Sequence, residues 1–68
     1  MNPTEIMTVP EVAAYLKMSK SKVYYLIKRR EIPHIRIGRN VRVRGKDLED
    51  WLKTKVEGQV TLLLSSTD

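Results

Sequence analysis

Sixty-eight residues with a formal net charge of +5 and an isoelectric point near 9.8 make one small basic domain, too short for a second core. With no cysteine and one histidine, His34, the chain can form neither a disulfide nor a thiolate zinc site, and it has no HExxH-like spacing. No apolar run approaches the ~18 residues of a membrane span, and the N-terminus lacks the charged-then-apolar order of a signal peptide, so a cytoplasmic location is expected.

Met1–Met7 carry no strong pattern and are read as a frayed or extended lead-in. Thr8-Val9-Pro10-Glu11 then has the S/T-x-x-E form of a capping box, in which Thr8 Oγ accepts from the Glu11 amide and Glu11 reaches back to the Thr8 amide. Pro10 falls in the first turn, where its missing N–H is not needed. Val9, Val12, Ala13 and Leu16 recur at i, i+3, i+4 and i+7, which predicts a first helix ending near Lys17. Met18 alone separates it from Ser19, a good N-cap for a second helix whose buried face is Val23, Leu26 and Ile27. Two short helices joined by a turn of three or four residues form a helix-turn-helix. Pro33 biases Ile32 towards extended geometry, so the second helix should end around Arg30.

His34–Ile37 and Val41–Arg44 read as strands around a loop Gly38-Arg39-Asn40, with glycine and asparagine available for positive φ. The alternation assigns Ile35, Ile37, Val41 and Val43 to an inner face, with Arg36, Arg42 and Arg44 outside. This hairpin is expected to be a wing. Gly45-Lys46-Asp47 opens a third helix, with Leu48, Trp51 and Leu52 facing the core and Trp51 as its anchor. Acidic residues start this helix and Lys53 and Lys55 end it, in the order the helix dipole favours. Gly58 should stop any extension. Val60-Thr61-Leu62-Leu63-Leu64 is apolar but short, either a disordered end or a segment that docks on the core or pairs with another copy. The expected organisation is a lead-in (1–7), one domain (8–56) and a flexible tail (57–68). The fold class is mainly α with a small β-hairpin, a winged helix-turn-helix in the order helix, helix, hairpin, helix.

Charge is segregated along this plan. Ten basic residues and one acid, Glu31, lie between Lys20 and Lys46, a local balance of +9, and the rest of the chain carries −4. A positive field concentrated on one part of a small fold is the footprint of a polyanion partner. At 100° per residue the outward face of the second helix centres on Ser21, Tyr25 and Lys28, flanked by Lys22, Tyr24 and Arg29. If its first turns enter a major groove, Lys20, Ser21, Lys22 and Tyr25 approach bases, and Tyr24 and Lys28 the backbone. Ser19 is a cap whose neighbouring amides can meet a phosphate. On the wing, Arg39 and Asn40 should reach a minor groove, whose narrow AT-rich form attracts arginine, while Arg36 and Arg42 hold phosphates. Arg42 and Arg44 can also protect a sheet edge from aggregation. His34 ends a strand, and Arg29 and Arg30 solvate a helix end.

Five segments, in order, resemble the excisionase-type DNA-binding domain, a compact winged relative of the MerR helix-turn-helix. They are Val12-Ala13-Ala14-Tyr15-Leu16, Val23-Tyr24-Tyr25-Leu26-Ile27, Glu31-Ile32-Pro33, Arg36-Ile37-Gly38-Arg39 and Asp47-Leu48-Glu49-Asp50-Trp51-Leu52, within residues 7–53. The resemblance implies sequence-specific duplex DNA binding, as an excision factor acting with an integrase or as a small transcriptional regulator acting with RNA polymerase. It would place the protein on the nucleoid when bound. Two positions depart from the family pattern: Lys22 stands where threonine is frequent, and Arg30-Glu31 where glycine is common, so the second helix needs another cap. Neither the coiled-coil and effector domain of full MerR regulators nor ligand-sensed activation is expected. One module offers about 600–1,000 Å² of interface, so cooperative self-association on neighbouring sites is expected. No cofactor is implied, and no nucleophile with its base or phosphate loop suggests an enzyme. RNA binding is the less favoured alternative, because no aromatic stacking platform is evident.

Overall fold

The computed structural model describes residues 5–58. In chain order it contains β1 (Ile6–Met7), α1 (Val9–Leu16), α2 (Lys20–Lys28), β2 (Ile35–Ile37), β3 (Asn40–Arg44) and α3 (Gly45–Lys53). This is a helix-turn-helix, a hairpin wing and a closing helix. The expectations for Val60–Leu64 lie outside the described residues.

The capping box starts α1 as its sequence requires. The Glu11 amide donates to Thr8 Oγ1 at 3.2 Å, and the Thr8 amide donates to Glu11 Oε1 at 2.8 Å. Val9, Val12 and Ala13 are buried and Leu16 packs at the margin. On α2 the buried set is Val23, Leu26 and Ile27. Met7, Ile32, Val43 and Leu48 complete the core between helices and sheet.

Both helices of the pair end in the same way. The Met18 amide donates to Ala13 O at 2.9 Å and the Lys17 amide to Ala14 O at 3.2 Å, while Lys17 takes φ +58°. At the end of α2 the Glu31 amide donates to Leu26 O and the Arg30 amide to Ile27 O, both at 2.9 Å, with Arg30 at φ +62°. These paired bonds are Schellman closures, which normally place glycine at the left-handed residue. The cap that α2 lacks in sequence is supplied by Arg30 itself, in a conformation that costs a non-glycine residue roughly 1 kcal/mol. Ile32, fully buried two residues later, anchors the exit.

The sheet differs from the alternation in two respects. First, Ile6–Met7 is a strand: β1 pairs antiparallel with β3, giving the order β1-β3-β2. Met7 lies opposite Val43, and both are buried. Second, the hairpin turn has two residues, not three. Ile37 pairs with Asn40, Arg36 with Val41 and Ile35 with Arg42. Gly38, at φ +61°, supplies the positive φ that a two-residue turn needs at its first position, and Asn40 belongs to β3. A one-residue change of register exchanges the faces of a strand. Ile35 and Ile37 therefore share a face with Arg42, and Arg36 shares the inward face with Val41, the reverse of the assignment that alternation suggested for β2. Ile37, near the wing tip, remains 60% exposed.

The Gly45 amide donates to Glu5 O at 2.8 Å, so the backbone beside β1 also secures the start of α3. Leu48 is fully buried, whereas Trp51 and Leu52 are half-buried. Trp51 flanks the core, with Lys55 Nζ 5.5 Å from its ring centre. The anchor expected at Trp51 is instead Leu48, because α3 buries only its first turn, at Gly45 and Leu48, and leaves its second turn at the rim.

Candidate nucleic-acid interface

The outward side of α2 is built by its cap and its period. Ser19 Oγ accepts from the Lys22 amide at 3.1 Å, which commits the hydroxyl to the helix. Lys20, Ser21, Lys22, Tyr24, Tyr25 and Lys28 are all exposed, as three buried positions per two and a half turns dictate. The Tyr25 ring lies between Lys22 Nζ, 5.3 Å from its centre, and the Arg29 guanidinium, 5.4 Å away. Arg29 also donates to Tyr25 Oη at 3.1 Å and to Glu31 Oε2 at 2.8 Å. The hydrogen bond to Glu31, then that to Tyr25, raises the Arg29 pKa above its ordinary value. Tyr25 is thus braced by Arg29, and Arg29 is tied to its neighbours.

Between α2 and the wing runs a cleft of about 600 Å³ lined by Tyr24, Ile27, Lys28, Arg30, His34, Arg36, Arg39 and Val41. Arg36 enters this lining because the register pairs it with Val41 on the inward face. Four of the lining side chains carry positive charge and none is a carboxylate. His34 Nδ1 lies 3.0 Å from Ile32 O, so with the proton on that nitrogen the ring is fixed to the chain leaving α2. Arg30, expected only to solvate a helix end, and His34, expected to end a strand, both line the cleft. The available signal was the non-glycine residue at a Schellman position.

The other wing residues separate. Arg39 sits at the turn and Asn40 beside it, both exposed. Arg42, on the face opposite Arg36, is half-buried and donates through Nη1 to Val41 O at 2.9 Å. Arg44 is not a free wing cation: its Nε donates to Asp47 Oδ2 at 2.7 Å, at the N-terminus of α3. Lys46 and Lys53 lie 3.7 and 3.8 Å from the Asp50 carboxylate. By contrast, the side chains of Lys20, Lys28, Arg30, Arg36 and Arg39 have no partner among the described residues. No cluster among the described residues could hold a metal ion. No described helix is long and apolar enough to cross a membrane.

A capped helix whose outward lysines have no carboxylate partner among the described residues, closed against a basic two-stranded ribbon, defines a winged helix-turn-helix module. The chain belongs to the helix-turn-helix domain family, whose model matches residues 6–56. The excisionase-type character of its motifs is matched by an excisionase of Streptomyces ambofaciens, 40% identical over 52 residues, covering 76% of this chain and 84% of that protein. A Mycobacterium tuberculosis protein provisionally named as DNA-binding is 45% identical over 51 residues, 75% of this chain. The match spans 65% of the mycobacterial protein's length. An uncharacterised Bacillus subtilis protein is 47% identical over 51 residues that make up 17% of its length, so this module also occurs within a longer chain. No solved structure matches.

Proposed function

We propose that this protein binds specific duplex DNA, with α2 in the major groove and the wing in the adjacent minor groove, as an excisionase-like directionality factor. The observation that carries the reading is the convergence of Lys28, Arg30, Arg36 and Arg39 on one cleft without a carboxylate. Four cations held together without counter-charge repel one another, an arrangement suited to a polyanion that replaces the missing partners.

Lys20, Ser21, Lys22 and Tyr25 lie near base edges in this arrangement, Tyr24 and Lys28 against the backbone, and the amides beside Ser19 near a phosphate. Arg39 and Asn40 enter the minor groove. Arg36 and Arg42, on opposite faces of the ribbon, each meet one of the two backbones that wall that groove. The relative named as an excisionase supports the recombination role. Copies then bind cooperatively on neighbouring sites, and a recombinase is the partner.

Capture of sheared genomic DNA by the purified protein at near-physiological salt, followed by sequencing, tests the reading. Enrichment at the ends of a mobile element is expected. Enrichment at promoters would instead make the protein a transcriptional regulator, and no enrichment over input would contradict specific duplex binding.

A further inference from the structure

Arg29 and Arg30 are adjacent, identical in type and differently used. Arg29 is paired with Glu31 and Tyr25. Arg30 has no side-chain partner among the described residues, lines the α2–wing cleft, and occupies a left-handed conformation that glycine adopts without strain. Folding alone would be served better by glycine there, since the Schellman bonds come from the backbone. Lys17 takes the same left-handed conformation at the end of α1 but does not line the cleft, so it is the cleft position together with the strain that points to work done by the Arg30 side chain.

We infer that Arg30 is a DNA-binding residue that grips a backbone phosphate of the strand separating the two grooves, a role resting on the proposed duplex binding. A helix in the major groove and a wing in the minor groove must straddle one sugar-phosphate strand, and the space between α2 and β2 is the cleft. Arg30 enters it from the turn between these elements, with Lys28 on the helix side and Arg36 on the wing side. A planar guanidinium can bond two phosphate oxygens at once, which the neighbouring lysine cannot. The Schellman closure fixes the base of the Arg30 side chain, so less freedom is lost when the phosphate arrives.

Arg30→Gly separates folding from binding because the two should move in opposite directions. Relief of the left-handed strain should raise Tm by roughly 2–8 °C, and Lys17→Gly, which relieves the same strain at the end of α1, gives the reference size. Affinity for a short mixed-sequence duplex should fall on the order of tenfold, and the slope of log affinity against log salt should shrink by about 0.9, the value of one phosphate contact. Arg30→Lys should keep the salt slope while losing part of the affinity. Unchanged affinity and slope in Arg30→Gly, with the wild type binding the duplex, would overturn the inference while leaving duplex binding intact. Loss of affinity together with a lower Tm would also overturn it, making Arg30 a folding residue. A wild-type chain that holds no duplex would remove the proposed function and this inference together.

Discussion

The flank formed by α3 and the surface formed by α2 and the wing carry the same kind of charge in opposite states. On that flank the two lysines of α3, Lys46 and Lys53, share Asp50, and Arg44, the last residue of β3, is paired with Asp47 in the first turn of α3. On the other surface Lys20, Lys28, Arg30, Arg36 and Arg39 have none among the described residues. Exposed pairs of the first kind are worth little to stability, about 0–1 kcal/mol each, but they cancel the local field. The comparison teaches that the number of arginines on an element says less about its ligand than the number left without a counter-ion. Arg44 makes the point, since it continues the wing's alternation and yet serves the start of α3.

Leu48→Ala should destabilise the domain by about 2–5 kcal/mol, most of what so small a core supplies, and should abolish DNA binding with it. Chemical denaturation measures the effect, and a folded variant of near wild-type stability would mean that α3 does not hold the sheet. Trp51→Ala should be milder than a buried Trp substitution because its ring is only half-buried.

On the interface side, Arg39→Ala should weaken duplex binding about tenfold, relax the preference for AT-rich flanks and leave the denaturation midpoint unchanged. Lower affinity with an unaltered sequence profile would make Arg39 a phosphate contact outside the minor groove. Thr8→Ala should cost about 1 kcal/mol of stability through the lost cap, without a change in salt slope for the folded fraction. Arg44→Ala should have the smallest effect, a few tenths of a kcal/mol by thermal unfolding, with duplex affinity close to wild type. A large affinity loss there would return Arg44 to the wing's binding set.

Much of this fold was legible because its signals are local. Thr8 and Ser19 each cap the helix that follows through a residue three positions away, and the stripe Val9, Val12, Ala13 and Leu16 states its own period. What escaped was set by distance or by small differences in geometry. A two-residue strand has no period to read, so Ile6–Met7 declares itself only through pairing with Val43 and Arg44. Gly38-Arg39-Asn40 can close a hairpin in two residues or three, and that single residue decides whether Arg36 or Ile35 faces α2. Among the candidate contacts, the outward residues of α2 follow from periodicity, whereas Arg30 enters the cleft through a backbone conformation that its residue type disfavours. The pairing of Arg44 with Asp47 crosses an element boundary, where strand alternation no longer applies.

The central claim, that location and lack of a partner make a cation part of the interface, is tested most directly by comparing Arg36→Ala with Lys46→Ala. Both remove one positive charge, so net charge is matched, and the readout is the salt dependence of affinity for the same duplex. Arg36→Ala should reduce the slope by about 0.9, and Lys46→Ala should leave it unchanged. Equal reductions would contradict the claim, and would mean that the duplex responds to overall charge rather than to the α2–wing cleft.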